Sequence, residues 1–207
     1  MPSRPTTKRD SETSSAEPIK ARLASRNEHK LTELRAALPR WEIELLDAEG
    51  YPSEEGETFY ENARAKAHFG RTVTGPGIRV LGEDSGLEVD ALDGGPGVRS
   101  NRWAAPGEDH VEKLLAELRV VEERHRGARY VCELVCVSPD GRELRGSGTL
   151  AGRIAEAPRG SEGFGYDPIL IPEGEERTVA ELGNEWKTSN SHRARAAAAL
   201  LRQALED

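Results

Sequence analysis

Four stretches of this 207-residue chain hold the side chains best suited to chemistry. The first, Ser25-Arg26-Asn27-Glu28-His29-Lys30, follows a short apolar run and opens a helical one. A strand feeding a helix start offers free backbone N–H groups and the positive end of a dipole, and Lys30 adds a charge one turn in, which suits a phosphate chain. An ordinary capped helix with a solvated lysine has the same spacing. The second stretch is acidic, with Glu54, Glu55, Glu57 and Glu61 joined by Glu83 and Asp84. Magnesium requires hard oxygen ligands and usually takes one or two carboxylates plus substrate phosphate oxygens. Glu55 and Glu57 read as a solvated face. Asp84 lies between glycines just after the apolar Ile78-Arg79-Val80-Leu81, so its carboxylate is expected to be held rigidly where that strand ends. There it could bind a metal, take a proton from water, or simply cap a turn.

The third stretch, Gly163-Phe164-Gly165-Tyr166-Asp167-Pro168, pairs small residues that admit a ligand to the backbone with aromatic stacking surface; a β-turn with packed aromatics would look alike. The fourth is Ser191-His192-Arg193, followed by Arg195, at the mouth of the last helix. Cations in a first helical turn oppose the helix dipole, so either electron-rich ligand atoms or an unseen carboxylate should face them.

The elements that must carry these groups follow from periodicity. Ile19, Ala21 and Leu23 alternate with Lys20 and Arg22 as a strand, and Leu31, Leu34 and Leu38 mark a helix that runs from Asn27 to Pro39. Thr58 and Glu61 have capping-box spacing for a helix to about Gly70. Its apolar stripe of Phe59, Ala63, Ala67 and Gly70 also contains Asn62 and Lys66, polar groups that need inward partners. A strand over 78–81 is expected to stop at Gly82 to Gly86, with another over Leu87, Val89 and Ala91. Val111, Leu114, Leu115 and Leu118 mark a third helix. Tyr130 to Val137, turning at Pro139-Asp140-Gly141, makes a hairpin with the strand bearing Leu144 and Leu150. The closing helix is expected to bury Ala194, Ala197, Ala198, Leu201 and Leu205. This mixture predicts an α/β fold on a long mixed sheet, hairpin-rich over residues 129–157.

With 29 Lys+Arg against 37 Asp+Glu the net charge is -8, which argues against a protein built to grip nucleic acid. No apolar run is long enough to span a membrane and no secretory signal is evident, so a soluble cytoplasmic protein is expected. Cys132 and Cys136 share one face of their strand roughly 13 Å apart, too far for a disulfide, and read as buried free thiols. Residues 1–17, rich in Ser, Thr, Pro and mixed charge, read as a disordered tail ahead of one domain over 18–207. No Gly-x-x-x-x-Gly-Lys-Ser/Thr loop, dinucleotide Gly-x-Gly-x-x-Gly or Gly-x-Ser-x-Gly turn is present.

Taken in order, the segments 24–30, 54–63, 83–92 with Gly95-Pro96-Gly97-Val98, 163–168 and 191–193 resemble the inosine/xanthosine triphosphate pyrophosphatase family over about residues 19–205. The resemblance implies hydrolysis of non-standard purine nucleoside triphosphates (dITP, ITP, XTP) to the monophosphate and pyrophosphate with Mg²⁺. It also implies an elongated two-lobed fold, a mixed sheet flanked by helices with the cleft between lobes, usually as a homodimer. By position, Ser25, Arg26, Asn27, Glu28, His29 and Lys30 would line the triphosphate, while Glu54 and Asp84 serve the metal. Asp84 would accept the proton and Ser85 touch substrate. Phe164, Gly165, Tyr166 and Asp167 would hold the nucleotide, and Lys187, His192 and Arg193 address the base. Asn62 and Lys66 also match family positions. Glu83 replaces a frequent second aspartate, a longer acid that could alter the metal shell while preserving its charge, and Arg26 replaces a frequent glycine, which adds a cation and could change backbone approach to phosphate. Two other readings stay open: a pyrophosphatase of other damaged nucleotides, such as modified pyrimidines, and a nucleotide-binding regulatory module without catalysis.

Overall fold

The computed structural model describes residues 17–206; residues 1–16 of the expected tail lie outside the described residues. The chain opens with strand β1 (Ile19–Leu23), whose Ala21 and Leu23 point inward. Helix α1 (Glu28–Ala37) starts at Asn27, whose side chain accepts from the backbone of His29 and Lys30, and ends before Pro39. Strand β2 (Trp41–Leu45), for which the sequence reading made no provision, alternates buried Trp41 and Ile43 with exposed Glu42 and Glu44. Helix α2 (Phe59–Val73) carries the expected Thr58–Glu61 capping box and buries Phe59, Asn62, Ala63, Lys66, Ala67 and Gly70. Then come β3 (Arg79–Val89), α3 (His110–Glu117), the hairpin β4 (Gly127–Val137) and β5 (Glu143–Ile154), β6 (Leu170–Pro172), α4 (Val179–Asn190) and α5 (His192–Glu206). Among the described residues no helix is long and apolar enough to cross a membrane.

The strands form one open mixed sheet in the order β2-β1-β3-β4-β5-β6. β2, β1 and β3 are parallel, joined through α1 and α2, whereas β3 to β6 are antiparallel. The feature that positions the site is a difference in length. Pairing of β1 with β3 stops at Leu23↔Leu81, but β3 continues to Val89 against β4. Past Leu81, therefore, β3 runs on without β1 beside it until residues 95–100 bond to Leu87 and Val89, which opens the sheet at the carboxyl end of the parallel strands where open sheets place ligands.

β3 corrects one expectation. It is a single strand through Gly82-Glu83-Asp84-Ser85-Gly86, not two strands separated by a turn. The glycines serve close packing instead. A Cβ on Gly82 would overlap the Ala63 carbonyl oxygen of α2, and one on Gly86 would lie 2.5 Å from both the Gly97 oxygen and Ser100 Oγ. Gly146 and Gly148 of β5 do the same for α5, whose backbone at His192 and Ala196 lies directly on them.

Successive strand residues face opposite ways. One face of the sheet buries Leu81, Cys132, Leu134 and Cys136 against α1 and α5; farther along it buries Leu87, Val89, Tyr130 and Leu150 against α3 and residues 166–170. These two apolar clusters give the expected two-lobed plan, and Glu83 and Ser85 stand between them. Both cysteines are free and buried, as expected. In α5 the buried stripe is Ala194, Ala196, Ala197 and Leu200; Ala198 faces solvent and Leu205 is 88% exposed, so the expected stripe was rotated and too long.

Candidate active site

Because β3 is continuous, Glu83 and Asp84 project to opposite faces of the sheet and acquire different surroundings. Asp84 faces α2. Its Oδ1 accepts from Lys66 Nζ at 2.9 Å and its Oδ2 from Asn62 Nδ2 at 3.0 Å, which gives both polar residues of the α2 stripe their inward partner. The Lys66 ammonium also pairs with Glu54 Oε1. Two carboxylates thus present one oxygen each to a single cation. Glu54 sits in a loop, and Arg102 fastens it by bonding Oε2 at 2.9 Å and the Glu54 carbonyl oxygen.

The two carboxylates respond in opposite directions. Burial raises the Asp84 pKa above its ordinary 3.8, outweighing Lys66 and Lys30. For Glu54, which is less enclosed, burial also pushes upward, but Lys66 prevails and the pKa falls below 4.5. One group stays ionised while the other takes up protons more readily, a division suited to an anionic anchor beside a base.

Glu83 faces the other way and is completely buried. Desolvation alone would raise its pKa, but Lys30 at 2.6 Å and Arg193 Nε at 2.9 Å hold it far below the usual carboxylate range. Glu83 therefore anchors Lys30 and Arg193 on the face opposite Asp84, while its carbonyl oxygen accepts from Lys66 Nζ at 3.2 Å on the Asp84 side. Arg193 also donates to Ser85 Oγ at 2.7 Å and to Glu33 at 3.0 Å. These carboxylates explain how α5 tolerates a cation in its first turn. His192 next to it is buried and stacked on Tyr130, ring centroids 4.5 Å apart, and burial drives its pKa well below 6.5, with Arg193 adding to the effect. Its Nδ1 is buried with no partner among the described residues.

The glycine-rich loop after β5 completes this side. Asp167 Oδ2 accepts from Lys187 Nζ at 2.7 Å and from the Phe164 N–H at 2.9 Å, while Oδ1 accepts from Tyr130 at 3.1 Å. Lys187 also pairs with Glu33 at 2.5 Å and stands 4.8 Å above the Phe164 ring. Phe164 is half-buried and stacks with His29 at 4.9 Å. Tyr166 is buried, its hydroxyl donating to the Ser100 carbonyl.

Two concavities result. A groove is lined by Ser25 to Lys30, Tyr51, Glu54, Lys66 and Asn101; a hollow is lined by Lys30, Ser85, Asn101, Tyr130, residues 164–167, His192 and Arg193. They meet at Lys30 and Asn101, which line both. Asn27 turns its side chain back to cap α1, and Glu28 is exposed. Asp84 lines neither wall and reaches the groove through Lys66. Among the described residues no three His, Cys, Asp or Glu side chains converge as a metal cage. Residue patterns missed Glu33, Tyr130 and Arg102. Glu33 lies one helical turn beyond Lys30, a spacing that marks a shared face, whereas Tyr130 and Arg102 carry no local signal.

Against known proteins, the Ham1 family model matches residues 21–203. The chain is 46% identical over 189 residues to the dITP/XTP pyrophosphatase of Streptomyces coelicolor, covering 86% of this chain and 94% of that one. It is 48% identical over 184 residues to the enzyme of the same name from Symbiobacterium thermophilum, covering 86% and 91%. A HAM1 protein structure from Coxiella burnetii superposes with TM-score 0.78 at 33% identity, covering 91% of this chain and all of that one. The dITP/XTP pyrophosphatase structure from Mycobacterium abscessus gives 0.69 at 41%, covering 90% and 100%. A match running from β1 into α5, with the groove and hollow both inside it, is a match to the whole fold and site: this chain belongs to the Ham1 family.

Proposed function

We propose that the chain hydrolyses non-standard purine nucleoside triphosphates, dITP, ITP and XTP, to the monophosphate and pyrophosphate. The observation that carries this reading is the junction at Lys30, where a groove holding Lys66, Glu54 and the neighbouring Asp84 meets a hollow holding Phe164, Asp167, His192 and Arg193, with Lys187 paired to Asp167 behind it. The groove suits a polyphosphate and the hollow a purine, and the names of the relatives agree.

The donor set fits a divalent ion, since Glu54 and Asp84 already converge on one cation and Mg²⁺ in such sites takes one or two carboxylates with phosphate oxygens. Glu54 and Asp84 would hold it. Bound there, Mg²⁺ supplies charge neutralisation on the phosphate oxygens. Lys30 and Lys66 offset the remaining charge, including that of the departing pyrophosphate. Asp84, with its raised pKa and its orientation fixed by Asn62, draws the proton from the water that attacks the α phosphorus. Phe164 stacks on the base. Arg193 and His192, which line the hollow, and Lys187 over the Phe164 ring would address a 6-keto oxygen, whereas adenine offers an amino donor there and leaves buried groups unpaired. In the same reading the enzyme is a cytoplasmic homodimer without nucleic-acid or membrane partners.

Turnover of a triphosphate panel with Mg²⁺ tests the assignment. Fast release of pyrophosphate from dITP and XTP with weak release from dATP and dCTP supports it. A pyrimidine preference selects the damaged-pyrimidine reading, and binding without turnover selects the regulatory module.

A further inference from the structure

Three cations line the groove, and two of them are committed. Lys30 is tied to Glu83, and Lys66 to Glu54 and Asp84. The third, Arg26, has no carboxylate partner among the described residues. Its guanidinium carbon lies 5.2 Å from the centre of the Tyr51 ring, and the side chain is exposed on the groove wall. Tyr51 is itself fixed, donating to the Leu46 carbonyl at 2.7 Å and tilting against Phe69 at 5.3 Å. The turn carrying Arg26 is also fixed, because Ser25 Oγ accepts from the Asn27 N–H at 3.1 Å.

Position along the groove gives this charge a task. The base-binding hollow adjoins the groove at Lys30 and Asn101, and Arg26 and Tyr51 line the groove alone. Phe69, which Tyr51 touches, is one helical turn beyond Lys66 on α2, and Lys66 is one turn beyond Asn62. From the hollow the order is therefore Lys30 at the junction, then Lys66 with Glu54 and Asp84, then Arg26 on Tyr51. A nucleotide with its base in the hollow and its α phosphate beside Asp84 directs its terminal phosphate toward Arg26.

We propose that Arg26, set against Tyr51, is the residue that selects a triphosphate over a diphosphate, by donating to the terminal phosphate and then to the distal end of departing pyrophosphate. This rests on the groove being the polyphosphate site. A guanidinium suits the task because its planar fork can lie on a ring and still direct two N–H groups at one phosphate.

The test compares wild-type protein with Arg26→Gln and Arg26→Lys, with dITP as substrate and dIDP as alternative substrate or competitive inhibitor. Wild-type release of pyrophosphate from dITP first establishes the underlying reading, independently of the variants. Arg26→Gln should then weaken dITP about tenfold more than dIDP, the scale of one charge-assisted hydrogen bond at an open site. Arg26→Lys should fall between, because it keeps the charge and loses the fork. Inhibition by inorganic pyrophosphate should weaken in parallel with dITP. An equal loss for dITP and dIDP, a larger loss for dIDP, or no loss for either overturns the proposal.

Discussion

Asp84 and Glu83 are chain neighbours with opposite environments, and single substitutions should separate their roles. Asp84→Asn keeps the bond to Lys66 through its amide oxygen but cannot take a proton. Its kcat should fall by roughly 10²- to 10⁴-fold, the usual contribution of a positioned base, while nucleotide binding by calorimetry remains measurable. Wild-type turnover in that variant would remove Asp84 from the chemistry. Glu83→Gln should act first on folding. It leaves the buried Lys30 without its carboxylate and Arg193 with Glu33 alone, and loss of a buried ion-pair partner typically costs about 3–5 kcal/mol. Urea unfolding checks this, and a loss under 1 kcal/mol would show that Glu33 and Ser85 suffice to hold Arg193.

At the scale of elements, legibility depended on how local the signal was. β1, α1 and the α2 capping box were readable because their caps and alternation lie within a few residues of each other. The inward polarity of Asn62 and Lys66 was visible for the same reason, though its target was not. The glycines around Asp84 misled because Gly82 and Gly86 mark where another element packs, a fact held in α2 and residues 97–100 and absent from β3 itself. α4 escaped notice because it is broken at Gly183, whose φ of 87° lies outside the helical region. The close-packing role makes a prediction. Gly82→Ala and Gly148→Ala should each destabilise by about 1–3 kcal/mol in chemical unfolding, since helix backbone must shift. Gly75→Ala, whose Cβ would meet open space, should be nearly neutral. Equal effects at all three positions would mean that the helices do not rest on those glycines.

For the whole molecule, the polar band between the two apolar clusters ties stability to pH. His192 is buried and its pKa is well below 6.5, so below pH 6.5 the unfolded chain binds a proton that the folded protein does not. Stability should then decline on acidification with a slope approaching about 1.4 kcal/mol per pH unit from this group. His192→Gln should remove that portion of the slope; an unchanged slope would place the linkage elsewhere. The proposed homodimer predicts a light-scattering mass of twice the 22.6 kDa chain. The central claim, that water assisted by Asp84 attacks the α phosphorus of a purine triphosphate laid from hollow to groove, is tested most directly by hydrolysing dITP in ¹⁸O-water and weighing the products. The heavy oxygen should appear in dIMP with pyrophosphate unlabelled; label in pyrophosphate, or release of single phosphates, would contradict it.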